Sequence, residues 1–352
     1  MTSGTTHDRA ATDGSPEVEE PRSATVRTTG HMPPGGPLGL IAVLALLVGL
    51  VVTAFALPAV HSEPRDVPIG IAGPPPAVQQ VSAALAANAP GAFAVTALAD
   101  EAALTAAIRN RDVYGGIAIG QAGPTMLTAP AASPAVAQGL STLAANFGQQ
   151  QGRPVAVKEV VSLPAKDSRG AGLATALLPL LIAAVAPVLA MKRVLRGRWT
   201  QLAGVLSAAI VLGAVVAGLL HWYGVLDGNW FLDAGAMAMV IGAMSTALLG
   251  LLLAGGLPAF GLGIATFLLL GNPLSGMATA PEFLAEPWQT IGAWLPVGAG
   301  GQLLRSTAYF DGAGSGPHLI VLGVWFLLGL ALLAIARKAP QPRPVTPQVA
   351  TT

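Results

Sequence analysis

Residues 171–198 read AGLATALLPLLIAAVAPVLAMKRVLRGR. The stretch Ala171–Met191 carries no charge, and Lys192, Arg193, Arg196 and Arg198 follow it at once. A membrane helix needs about 20 predominantly apolar residues. Short loops rich in Lys and Arg stay in the cytoplasm. The stretch therefore predicts a crossing whose C-terminal end is cytoplasmic.

Working outward, Leu38–Leu57, Leu202–Leu220, Ala234–Leu253, Leu257–Leu270 and Leu319–Ala336 are further candidate spans, none containing Asp, Glu, Lys or Arg. The layout is one span, a mostly polar segment, then five more. The fold class expected is a polytopic α-helical membrane protein with six helices and an inserted extracytoplasmic α+β domain. Its parts are a disordered cytoplasmic tail (1–37), a first crossing (38–60), the inserted domain (61–170), helices two to six (171–336) and a second cytoplasmic tail (337–352).

Charge placement orders the topology. The loop His221–Asp233 has no Lys or Arg and carries Trp222, Tyr223 and Trp230, the aromatics of a membrane interface, so it faces outside. Arg337-Lys338 puts the C-terminus inside. Alternation puts the N-terminus inside as well. The weak point is 234–271, where Gly255-Gly256-Leu257-Pro258 is the only punctuation. Two helices joined by a tight cytoplasmic turn are expected. The alternative is one long kinked helix. Ala54-Phe55-Ala56 mimics a signal-peptide cleavage site, but the apolar run exceeds a signal core and a long mixed-charge tail precedes it, so a retained anchor is expected.

Composition agrees: 53% of residues are hydrophobic and 10% charged, against about a quarter charged in soluble domains. The net charge of +1 implies no nucleic-acid partner. Without cysteine, disulfides, thiolate zinc sites and thiol catalysis are excluded. Arg outnumbers Lys and Ala, Gly and Pro abound, the bias of a high-GC bacterial genome. No Lys follows a Gly, so there is no phosphate-binding P-loop. No catalytic, cofactor or metal constellation can be drawn. His61, at the edge of the inserted domain, is that domain's only histidine candidate.

Within that domain, strands are expected at Val67–Ala72, Phe93–Leu98, Val113–Ile119, Pro124–Ala129 and Val155–Val161. Helices are expected at Pro76–Ala89, from the Asp100 cap to Ile108, and over Ser133–Phe147. Arg109, Arg111, Arg153, Lys158, Lys166 and Arg169 read as a solvated face, because neighbouring acids balance them.

The segment 272–317 is too apolar for a free outer loop. Phe283, Leu284, Trp288, Ile291 and Leu295 fall at helical spacing, with Pro281 at a helix start and Pro287 at a kink. A short interfacial or re-entrant helix is expected, Trp288 and Trp294 at headgroup level, and a second short segment, Gly300–Tyr309, with Arg305 among apolar neighbours. Two readings stand: an outer gate, or a surface connector.

Asn272-Pro273-Leu274-Ser275-Gly276, Pro281-Glu282-Phe283-Leu284, Trp294-Leu295-Pro296, Leu303-Leu304-Arg305 and Tyr309-Phe310-Asp311-Gly312 resemble the segment before the last helix of ATP-binding-cassette type-2 permeases. The nearer likeness is to their phage-infection-protein-like branch. Arg109-Asn110-Arg111-Asp112-Val113-Tyr114-Gly115-Gly116-Ile117-Ala118-Ile119 is similar to a helix-to-strand passage of that branch's external domain. The resemblance covers 38–336. It implies export of a hydrophobic or amphipathic substrate, driven by ATP on a separate ATPase subunit, with spans pairing in a homo- or heterodimer. Asn272, Pro273, Pro281, Trp294, Pro296 and Arg305 would then form the outer gate, and Lys192, Arg193, Arg196 and Arg198 the cytoplasmic contact. The cytoplasmic loop is short and lacks the family's ATPase-gripping motif. Membrane lipids are the other partner. The competing reading is an envelope scaffold whose external domain binds cell-wall or secretion partners.

Overall fold

A computed structural model of the chain describes Met1 and residues 36–60, 62–121 and 123–336. The expectations for the two tails, for His61 and for Arg337-Lys338 lie outside the described residues, apart from Met1 and the start of the first helix. That helix, α1 (Gly36–Val60), has no charged residue.

Next come β1 (Val67–Ala72), α2 (Pro75–Asn88), β2 (Phe93–Leu98), α3 (Glu101–Arg109), β3 (Gly115–Gly120), β4 (Gly123–Thr128), α4 (Pro134–Gln151) and β5 (Ala156–Glu159). They form one five-stranded mixed sheet in the order β2-β1-β3-β4-β5. Only the β3–β4 hairpin is antiparallel. Local chemistry starts the helices where expected. Asp100 accepts from the Ala103 amide at 2.8 Å. Ser133 accepts from the Val136 amide at 3.2 Å, with Pro134 in the first helical position. Both residue types are preferred N-caps, and proline loses nothing there.

Both sheet faces are covered. Val67, Ile69 and Met126 pack with Val136 and Leu140 of α4. Ala72 and Ala118 pack with Leu104 and Ile108 of α3 on the other face. This explains why β1 is apolar throughout rather than alternating. β5 is shorter than expected, four residues, all exposed.

Four helices of the described residues are long and apolar enough to cross a membrane: α5 (Ala171–Val194), α6 (Arg198–Tyr223), the stretch Trp230–Gly271, and α10 (Gly316–Ile335), which follows α8 (Trp288–Trp294) and α9 (Pro296–Phe310). The protein is thus a largely helical chain with the features of a membrane protein and an added α/β domain. The third stretch is α7 (Trp230–Ala265) plus a wider helical turn, Thr266–Gly271.

As a straight rod those 42 residues would be about 63 Å long, twice the roughly 30 Å hydrocarbon core. They are not straight. Gly256 has φ 69°, ψ −163°, a conformation essentially reserved for glycine. Beyond it the chain folds back, and a Cβ on Gly263 would stand 2.6 Å from Leu251 and 2.9 Å from Leu248. Residues so far apart along one straight helix could not meet. The long-kinked-helix alternative is therefore corrected to a helical hairpin. Gly256→Ala should cost on the order of 1–3 kcal/mol in strain. Thermal unfolding in detergent would read it; a melting point equal to that of the parent chain would refute the hairpin constraint.

α7 packs against α5, α6, α9 and α10. Small residues let backbones approach: Gly213 lies on Ala238, and Gly250 on Gly329. In a membrane, where apolar burial gives little net drive, such close contacts hold helices together. Ser245 Oγ donates to the Ala184 carbonyl at 2.8 Å, tying α7 to α5. At the basic end, Arg198 donates to the carbonyls of Leu333, Ala334 and Ala336 at 2.9–3.2 Å. A cation on the last carbonyls of α10 also matches the negative end of its dipole.

Candidate functional site

α9 is the centre of the candidate site. Its residues Pro296–Ala308 are all buried, although it was expected as a short outer segment from Gly300. A surface connector would expose one side of such a helix, and α9 does not. Gly300 packs against Val240, roughly 15 Å along α7 from Trp230. At the other end the Ala308 carbonyl lies against Gly228 in the α6–α7 turn. The helix therefore runs from inside the bundle to one of its ends.

In the passage leading to it, the helix expected to start at Pro281 and kink at Pro287 is found as a 3₁₀ turn, Pro281–Phe283, and the separate α8. The break falls at Pro287, whose peptide bond with Glu286 is cis; proline lacks the N–H that a continuous helix would need. Gly292 and Gly298 sit where a Cβ would overlap the Leu274 and Gly292 carbonyls, which lets this irregular chain pack tightly around the start of α9. Non-helical backbone is tolerated at membrane depth only when protein covers it.

Four polar side chains of α9 are buried: Gln302, Arg305, Ser306 and Thr307. The α/β domain reaches two of them, Gln302 and Ser306. Arg111, in a left-handed turn (φ 65°) between α3 and β3, donates to the Gln302 carbonyl (3.1 Å), Gln302 Oε1 (2.9 Å) and Ser306 Oγ. Its guanidinium lies over Phe310, 5.4 Å from the ring centre. Tyr114 OH donates to Glu282 Oε2 at 2.8 Å, and Ser133 Oγ donates to the Thr279 carbonyl. Arg305 is 3% exposed. One of its terminal nitrogens donates to the Met277 carbonyl at 2.9 Å, and the other has no hydrogen-bond partner among the described residues. Arg111, Tyr114, Glu282, Gln302 and His318 line a cavity of about 190 Å³ between the domain and the helices.

Burial pulls the Arg111 guanidinium below its ordinary value, while Tyr114 and Glu282 partly offset this. Burial, then the Glu282 carboxylate, pushes the Tyr114 phenol far up. Tyr114 consequently stays protonated, as its bond to Glu282 requires.

The structure brings Pro281 and Arg305 to this layer, and Pro296 lies away from it. Pro296 is buried at the start of α9 and Pro281 opens the turn that carries Glu282. Asn272 and Trp294 are exposed and Pro273 partly so; the Trp294 carbonyl accepts from Trp325 Nε1 at 2.8 Å. Lys192, Arg193 and Arg196 are exposed, whereas Arg198 is engaged on α10. Arg111 is corrected from a solvated residue to a buried-layer contact. Tyr114, Glu282, Gln302 and Ser306 had no role in the sequence reading, because each acts through a partner more than a hundred residues away. Asp233, expected in the outer loop, lies buried in the first turn of α7.

Comparison with protein-family models, with curated proteins and with solved structures returned no match.

Proposed function

We propose that the chain is the permease subunit of an exporter, moving a hydrophobic or amphipathic substrate outward with a separate ATPase. In this reading α1, α5, α6, the two limbs of the α7 hairpin and α10 make six crossings of a bacterial cell membrane. Both termini and the Lys192–Arg198 loop are cytoplasmic, and the α/β domain is outside. The observation that carries the proposal is the grip of that domain on α9 through Arg111 and on the passage before it, at Thr279 and Glu282, through Ser133 and Tyr114. A display domain needs only a tether. This one is bonded to a helix buried among the spans, so movement on either side is delivered to the other. The chain has no P-loop, so energy comes from a partner.

Affinity purification from native membranes tests the reading. A co-purifying nucleotide-binding subunit with substrate-stimulated ATPase activity is expected. Finding neither would abandon the exporter for the second reading, an envelope scaffold, which the close packing of α7 against α5, α6 and α10 favours. Because the chain lacks cysteine, single cysteines at Arg196 and Asp227 report sidedness. An impermeant maleimide added to intact cells should label Asp227→Cys and spare Arg196→Cys.

A further inference from the structure

His221 lies in the last turn of α6 and Asp233 in the first turn of α7, and the domain's grip on α9 uses neither. The Asp233 side chain is 1% exposed, and among the described residues neither carboxylate oxygen accepts a hydrogen bond of ordinary geometry, the neutral Thr307 hydroxyl lying within electrostatic reach. His221 Nε2 stands 3.5 Å from Asp233 Oδ2 and 3.3 Å from the Gly228 carbonyl. Its Nδ1 faces the Ala217 carbonyl at 2.9 Å. These oxygens only accept, whereas a neutral imidazole has a single N–H. A neutral ring would leave one nitrogen lone pair against oxygen lone pairs, next to a buried carboxylate without a counter-charge. One added proton removes both conflicts. The imidazolium then donates from both nitrogens, and the carboxylate gains its counter-charge. Helix ends favour this, a cation at the end of α6 and an anion at the start of α7. Buried ionisable pairs at membrane helices are functional candidates.

We infer that His221 and Asp233 form a site that binds one proton per chain, and that its loading holds the α6–α7 turn on the end of α9. The contacts to α9 are direct. Thr307 lies beside the carboxylate, Gly228 lies under the Ala308 carbonyl, and Tyr309 OH donates to the Val225 carbonyl at 3.2 Å. The other charged or titratable groups facing this corner are Asp227 in the turn, Tyr309 and Arg305 on α9, and Lys166 and Asp167 before α5. None of them hydrogen-bonds to Nε2 or to the carboxylate among the described residues. The site stands independently of the exporter reading. Its sign is fixed: the proton is bound at low pH and leaves as pH rises, so the turn is held at low pH and loosens at high pH.

Trp222 and Trp230 flank the pair and report on it. The full chain in detergent is scanned over pH by tryptophan emission and by ring-nitrogen shifts of labelled histidine. A one-proton change in emission is expected, coinciding with loss of one N–H from one of the five histidines. His221→Gln and Asp233→Asn should each abolish it. A flat emission trace in the unmutated chain, or a transition surviving in both variants, overturns the inference. Should a variant fail to fold, the unmutated chain decides: coincident emission and nitrogen midpoints support the site, and separate ones overturn it.

Discussion

Arg111→Ala is expected to loosen the α/β domain from the helices by about 3 kcal/mol. Hydrogen bonds to a charged group contribute roughly 1.5–3 kcal/mol each and a cation–π contact about 0.5–1 kcal/mol. Arg111 makes three such bonds to α9 and covers Phe310. Contacts of one side chain are not additive, so the sum is discounted. Alanine would also leave Gln302 and Ser306 buried without this donor. Arg111→Lys keeps the charge but not the planar fork and should fall between. Arg111→Gly loses the same contacts yet relieves the left-handed backbone, which costs a non-glycine residue about 1–2 kcal/mol, so it should be milder than alanine. Hydrogen exchange across 296–310 reads the effect. Unchanged protection of α9 in Arg111→Ala would remove the mechanical link on which the exporter proposal rests.

Gly116→Ala should be as damaging, for a different reason. A Cβ there would overlap the Gly70 carbonyl on the neighbouring strand. Gly70 and Gly116 are register partners in the β1–β3 pair, and Leu104 of α3 fills the space above Gly70. Neither strand can retreat without opening a covered sheet. Overpacking of this kind costs about 1–3 kcal/mol, occasionally more, and backbone on backbone belongs at the upper end. Gly139→Ala is the control: nothing lies within 4 Å of its Cβ position and it sits inside α4. There alanine should stabilise by about 0.5–1 kcal/mol. Thermal unfolding of the two variants should move in opposite directions. A harmless Gly116→Ala would mean that the sheet is less tightly paired than described.

The Tyr114-Gly115-Gly116 run thus has a packing explanation that needs no function. Its glycines allow strand-to-strand and helix-to-sheet approach, and its tyrosine reaches Glu282. The Asp100 and Ser133 caps were legible in the sequence because a cap is local chemistry: one side chain and an amide three residues on. The break at Gly256 was legible because Gly-Gly-x-Pro is turn punctuation at any depth. Arg111 was not. Its sequence neighbours are exposed acids and bases, and its real partners lie about 190 residues further along the chain. The break before Trp288 was legible for the same reason as the caps, because a proline at 287 has no N–H to continue a helix.

Sequence by itself determined the apolar helices, the order of strands and helices in the inserted domain, and the chemistry of their ends. These follow from composition and from interactions within a few residues. Tertiary structure alone decided that α9 is buried, that Arg111 and Tyr114 grip its surroundings, and that His221 meets Asp233 across a turn. Those facts depend on which distant backbones approach, and on desolvation that makes an unpaired donor or carboxylate costly. Neither is written in the spacing of residues along the chain.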